Sequence, residues 1–383
     1  MKIVVAMDSF KGSLTSLQAG QAVREGALRA IPSAEVTVRP LADGGEGTVE
    51  ALVRGMNGRL RRLRVTGPLG APVDCAYGIL PDGDTAVVEM AGTAGLPLVD
   101  PVRRDPLRAT TYGVGQVLRD AMEQSCRRFI VGIGGSATND GGAGMLQALG
   151  YDFLDARGRP IAPGAAGLAD LHTISAAHVL PRLAECRFRI ACDVTNPLCG
   201  PNGCSAVYGP QKGAAPAMIG RMDGWLRHYA ALAAQLYPDK ADPDHPGAGA
   251  AGGMGFAFLT FTNAVLEPGI GIVLSETGLE GYIRQADLVV TGEGRLDGQT
   301  AMGKAPVGVA RLAKQYGKPV IAFAGSVTAG ASACHDQGID AFFPALRQIC
   351  TLGEAMDPDT ARRNLADTAE QAFRLWQTAK ACL

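Results

Sequence analysis

The stretch that most limits what this chain can become is residues 131–144, VGIGGSATNDGGAG. An apolar run, residues 129–133, feeds straight into six glycines interleaved with Ser136, Thr138, Asn139 and Asp140. Glycine loses conformational entropy in any regular element, so such a run is kept where backbone must approach something closely or adopt positive φ. Backbone amides freed of side chains make a nest for an anion, most often a phosphate. A tight strand-to-helix turn would also use glycine, but the four polar side chains favour a phosphate or carboxylate site.

The two ends of the chain share one pattern. Residues 2–7 are a continuous apolar run, typical of a strand buried on both faces of a parallel sheet, and they end in Asp8-Ser9-Phe10-Lys11-Gly12-Ser13. Thr15 with Gln18 forms a capping-box signature for a helix, whose buried face is marked by Val23, Ala27, Ala30 and Ile31. A second strand follows at 35–39. The loop after the first strand of such a β-α-β unit lies at the carboxyl edge, where these sheets bind ligands. The same alternation returns late in the chain, with strands predicted at 286–290, 320–324 and 341–343 and helices at 307–316 and 358–382.

The middle differs. Residues 60–66, 73–80 and 85–90 read as antiparallel strands and hairpins separated by glycine and proline turns. Val114, Val117, Leu118, Ala121 and Met122 recur at helical spacing. Residues 187–192 form another buried strand ending in Asp193-Val194-Thr195-Asn196-Pro197, and 237–253, rich in Pro, Asp, Gly and Ala, predict a mobile surface loop. At 383 residues the chain is too long for one simple core. An α/β domain interrupted by a long insertion is the economical explanation.

Composition removes several classes of function. With a net charge of −1, 5% aromatic residues and no basic run, the chain carries no nucleic-acid footprint. The apolar start is too short for a signal peptide, and no stretch approaches the ~18 apolar residues of a membrane span. Nine scattered cysteines without C-x₂-C pairs suit reduced thiols in the cytoplasm.

Two motifs mislead. Gly298 to Lys304 has the G-x-x-x-x-G-K frame of a phosphate-binding P-loop, but Ala305 replaces the hydroxyl that Mg²⁺ needs, so the frame is a coincidence. Gly132, Gly134 and Ala137 fit a dinucleotide fingerprint, but Asn139 to Gly142 interrupt the helix that should start at once. What remains is a set of charged side chains beside glycine-rich loops: Asp8, Lys11, Asp43, Glu46, Asp140, Asp193, Lys212, Glu293, Arg295 and Asp297. Phosphoryl transfer needs this inventory, with amides and cations for phosphates and carboxylates for Mg²⁺ and the accepting hydroxyl. Metal-assisted hydrolysis could use the same groups.

Six stretches in order then carry a resemblance: MDSFKGSL (7–14), LADGGEGT (41–48), VGIGGSATNDGGAG (131–144), CDVTNPLCGPNG (192–203), GPQKGA (209–214) and TGEGRLDGQTAMGKAPVGVA (291–310). The chain resembles the bacterial glycerate kinase family nearly from end to end. The resemblance implies ATP-dependent phosphorylation of D-glycerate with Mg²⁺, giving 2-phosphoglycerate rather than the 3-isomer, although the residues alone do not say which hydroxyl reacts. It also implies an α/β fold in which a flavodoxin-like parallel-sheet domain, 1–65 with 281–383, carries a second mixed α/β domain at 66–280. The active site is expected in the cleft between them, with hinges near 60–70 and 275–285.

Roles follow as expectations. Asp193 orients or deprotonates the glycerate hydroxyl, or else caps the Thr195-Asn196-Pro197 turn. Lys11, flanked by Ser9, Gly12 and Ser13, holds a phosphate or the substrate carboxylate, with Arg295 and Lys212 as rivals. Asp43, Glu293 and Asp297 are candidate Mg²⁺ ligands, of which at most two fit, because Mg²⁺ usually takes one or two carboxylates. Gly134, Gly135, Ser136, Thr138, Asn139 and Asp140 line one anionic ligand, either ATP or glycerate, and Asn196 joins the substrate contacts. Two other readings stay open. One is a nicotinamide-dependent oxidoreductase of a small hydroxy acid; the other is a non-catalytic nucleotide-binding regulator, which leaves the acidic loops unexplained.

Overall fold

The apolar run at the N-terminus is the strand Lys2–Met7, buried at every position after the first. The computed structural model describes every residue except Asp43, Glu46, Cys382 and Leu383, and the described chain divides into two compact units. The first comprises Met1–Asp43, Glu50–Met56 and Ile270–Leu383, the second Gly44–Val49 and Asn57–Gly269.

In the first unit Lys2–Met7 lies between Leu288–Leu296 and Glu35–Val38, parallel to both. Val320–Val327 and Ala341–Pro344 extend the sheet beyond Leu288–Leu296, again in parallel. Counted along the chain, the strands stand in the order fifth, fourth, third, first, second, which is the flavodoxin-like order. The predicted capping box forms: the Thr15 hydroxyl accepts the Gln18 amide at 3.3 Å, and the Gln18 carboxamide accepts the Thr15 amide at 2.9 Å. The helix it starts, Ser16–Ala30, packs along Pro358–Ala381. Gly26 lets the two backbones meet, since a Cβ there would lie 2.1 Å from the Ala366 carbonyl oxygen. Gly26→Ala forces the helices apart and is expected to destabilise this unit by about 2–3 kcal/mol. The check is urea unfolding followed through Trp376, which packs against this core; an unchanged midpoint would remove Gly26 from this role.

The second unit holds a mixed six-stranded sheet in the order Ala264–Glu267, Arg187–Ala191, Arg128–Gly132, Thr85–Glu89, Pro72–Ile79, Arg59–Thr66. Its first four strands pair in parallel, and the last two join as the predicted hairpins. Thr85–Glu89, grouped by sequence with the hairpins, is the hinge of the pattern: antiparallel to one neighbour and parallel to the other. Phe129 and Phe188 stack across adjacent strands with ring centroids 4.8 Å apart. The helix read from Val114 to Met122 is Tyr112–Glu123.

One expectation fails here. The end of the presumed surface loop at 237–253 is buried at Gly247, Ala248, Ala250, Gly252 and Gly253. Ala251, Gly252 and Gly253 take φ values of 54, 71 and 96°, and a Cβ at Gly252 would lie 2.1 Å from the Thr138 carbonyl oxygen. The glycines that suggested a free surface loop instead let backbone pack on backbone, beneath the loop at 131–144.

Candidate active site

Lys2–Met7 and Leu288–Leu296 are neighbours, yet the chain continues to opposite sides of the sheet from them. Such a switch point leaves a crevice at the carboxyl ends of the strands, where open parallel sheets bind ligands. A cavity of about 450 Å³ lies there, within the range of small-molecule sites. The register sets Met7 beside Gly292, so the residues that follow, Asp8 and Glu293, reach the cavity together, each 8% exposed. Asp8 Oδ1 accepts the Ser9 amide at 2.7 Å, and the Thr300 hydroxyl donates to Glu293 Oε1 at 2.5 Å.

Asp297 begins the short helix Gly298–Ala301. Its Oδ1 accepts the Gln299 and Thr300 amides at 2.9 and 3.2 Å, and its Oδ2 faces Arg295 Nε at 3.2 Å. Burial pushes this carboxyl up, but the amides together with Lys304 and Arg295 outweigh it and hold it below the usual range. Lys11 stands exposed on the loop bridged by Phe10 and Leu14, and its ammonium makes no hydrogen bond or ion pair among the described residues. Of the expected site residues, Ser9, Lys11, Glu293, Arg295 and Asp297 therefore line one cavity. Asp43 lies outside the described residues.

The glycine-rich loop belongs to the second unit and is built differently. Gly134 and Gly135 are exposed, while Ser136 to Asp140 are buried. Asp140 Oδ2 accepts the Thr111 amide at 2.8 Å, the Thr111 hydroxyl at 2.9 Å and the Gly144 amide at 3.3 Å, and its Oδ1 accepts the Gly142 amide at 3.1 Å. Burial pushes this carboxyl above its usual range, against those bonds. Asn139 Nδ2 donates to Ser205 Oγ at 2.9 Å, whereas its Oδ1 and the Thr138 hydroxyl are buried without a partner among the described residues. Lys212 is 1% exposed and donates to Ser136 Oγ at 2.8 Å and to the Thr138 carbonyl at 2.6 Å. The polar side chains thus turn inward and shape the loop, and the exposed backbone at Gly134 and Gly135 is what it presents. The next helix starts only at Ala143, behind Gly142 at φ 77°, so the dinucleotide fingerprint lacks its helix.

Burial pulls the Lys212 ammonium from 10.5 down to about 8. Between those values the native state holds fewer protons than the unfolded chain, so the stability linked to Lys212 rises with pH across the window. The gain is complete above 10.5, is lost as pH falls through about 8, and amounts to about 3 kcal/mol. Urea unfolding of wild type and Lys212→Met should diverge across this window, and parallel curves would exclude the buried ammonium.

Asp193 is exposed just beyond Arg187–Ala191, and its Oδ1 accepts the amide of Gly269, the first residue of the helix Gly269–Glu276, at 3.1 Å. Asn196 is engaged at both ends of its carboxamide: it donates to the Asn202 carbonyl at 2.8 Å and accepts the Tyr208 hydroxyl at 2.6 Å. The cavity also contains residues outside the expected set. Lys304 comes from the rejected P-loop frame, Ser326 from the end of Val320–Val327, and Leu352, Ala355 and Met356 from a short helix that Thr351 and Glu354 start as a capping box.

Among the described residues no cluster of three or more His, Cys, Asp or Glu could cage a metal ion. Asp8 and Glu293 follow paired positions of adjacent strands and both line the cavity, and Asp297 is largely committed to capping.

The glycerate kinase family model matches residues 3–377. This chain belongs to the glycerate kinase family. It is similar to glycerate 2-kinase of Escherichia coli (strain K12), with 49% identity over 98% of this chain and 99% of that one. It is also similar to glycerate kinase of Haemophilus influenzae, with 47% identity over 98% of both chains. A crystal structure described as glycerate kinase 2 from Salmonella typhimurium LT2 superposes with a TM-score of 0.92 at 47% identity, covering 100% of this chain and 99% of that chain. Family membership fits the phosphate-and-carboxylate inventory of the loops. No described helix is long and apolar enough to cross a membrane.

Proposed function

We propose that this chain transfers the γ-phosphoryl group of ATP to the 2-hydroxyl of D-glycerate, giving 2-phosphoglycerate and ADP. The observation that carries this reading is the end-to-end likeness to the Escherichia coli glycerate 2-kinase. In the reaction the hydroxyl oxygen bonds to the γ-phosphorus, the bond to the β–γ bridging oxygen breaks, and the hydroxyl proton leaves to a base. Asp193, exposed at a strand end, is our candidate for that base. Lys11 and Arg295 hold phosphate oxygens, as cations do in phosphoryl transfer generally. Asp8 and Glu293 would hold Mg²⁺, whose chemistry there is to neutralise charge on the phosphates. The exposed amides of Gly134 and Gly135 suit an anionic group.

The deciding assay supplies D-glycerate with either ATP and Mg²⁺ or NAD⁺. ADP release that depends on glycerate is the expected result. NADH formation without ADP would replace the kinase by an oxidoreductase, and nucleotide binding without turnover would leave a regulator.

A further inference from the structure

We propose that the cavity of the first unit holds the nucleotide, with phosphates at the Lys11, Arg295 and Lys304 end and the purine against an apolar wall of Leu346, Leu352, Ala355 and Met356. The inference rests on the kinase reading and assigns one of its two substrates to a place.

The cavity is chemically divided. Its strand-edge half carries Asp8, Glu293 and the three cations; its other half comes from the segment after Ala341–Pro344 and from the face of Pro358–Ala381 that bears Ala361 and Asn364. Glycerate is a three-carbon acid with two hydroxyls and has no surface that gains from an apolar wall. A nucleotide has both parts, an anionic chain and a flat base that is largely apolar on its faces. Leu346 is 40% and Leu352 78% exposed, and covering such apolar surface with a base is favourable.

Two further observations fix the orientation. The Ser13 hydroxyl lines the cavity, is buried and has no hydrogen-bond partner among the described residues; as a donor next to Lys11 it suits a phosphate oxygen. Gly12 lies between them at φ 78°, and a Cβ on it would stand 2.9 Å from Met356 Cε. The phosphate-side loop and the apolar wall therefore touch, which places the two halves within one ligand's reach. Asn364 makes no hydrogen bond among the described residues, so its carboxamide is available to the polar edge of a base.

Calorimetric titration with ADP alone tests this in the full chain, with Ala355→Trp to fill the wall and Leu352→Asp to place a charge on it. Both variants should raise the Kd for ADP at least tenfold while the KM for D-glycerate at saturating ATP stays within twofold. Leu352 is exposed enough that its variant keeps the fold, so it decides the matter if Ala355→Trp does not fold. Wild-type ADP affinity in Leu352→Asp, or in both variants, overturns the assignment even if the chain phosphorylates glycerate. Weakened ADP binding in the variants of a chain that transfers nothing to glycerate would uphold the nucleotide site and remove the kinase reading.

Discussion

Asp193→Asn is expected to keep its fold and lose turnover, with kcat falling about 10²–10⁴-fold, the range of a positioned general base. The substitution separates the two roles open to this residue. Asp193 Oδ1 accepts the amide that opens Gly269–Glu276, and an asparagine oxygen caps a helix about as well as aspartate does. If capping is its whole purpose, Asp193→Asn should be nearly silent. If it takes the hydroxyl proton, the amide cannot replace it, and turnover falls while the KM values and the melting temperature hold. Steady-state kinetics beside a thermal melt read both, and a folded variant with near-normal kcat would remove Asp193 from the chemistry.

Asp140→Ala is expected to lower the stability of the second unit by about 4 kcal/mol, since each buried donor left without a partner costs about 1–3 kcal/mol and the losses are not additive. The Thr111, Gly142 and Gly144 amides would all lose their acceptor at once. Lys212 would also lose the nearby negative charge that raises its pKa. Asp140→Asn, which keeps the shape but turns an N–H₂ toward donors, should fall between wild type and Asp140→Ala. Trp225 packs on the second unit's core and Trp376 on the first unit's, so urea unfolding in a Trp376→Phe background reads the relevant transition. A loss under about 1 kcal/mol would mean that Asp140 does not hold the loop.

The contrast between these two aspartates shows what the sequence could reveal. Strand and helix positions were legible because apolar periodicity and the Thr15–Gln18 capping box are local signals, and the structure honours both. The flavodoxin-like order is a long-range fact, with Leu288–Leu296 beside Lys2–Met7 across the whole insertion; only the resemblance supplied it. Residue types at loops were also legible, but not the direction in which each side chain points. Asp140, Asn139 and Lys212 looked like Asp8, Glu293 and Lys11 in the sequence, yet the first three face inward as supports while the second three line a cavity. What each side chain faces separates them, and that depends on distant packing such as Gly252 against Thr138. Lys304 was set aside with the P-loop frame because Ala305 replaces the hydroxyl that frame needs, yet Lys304 lines the cavity.

The most direct test of the central claim is phosphorus NMR of the product formed from D-glycerate, ATP and Mg²⁺. The account predicts one new phosphomonoester signal, coincident with authentic 2-phosphoglycerate and rising in step with ADP. A signal coincident with 3-phosphoglycerate would contradict the assigned hydroxyl, and ADP accompanied only by inorganic phosphate would contradict glycerate as the acceptor.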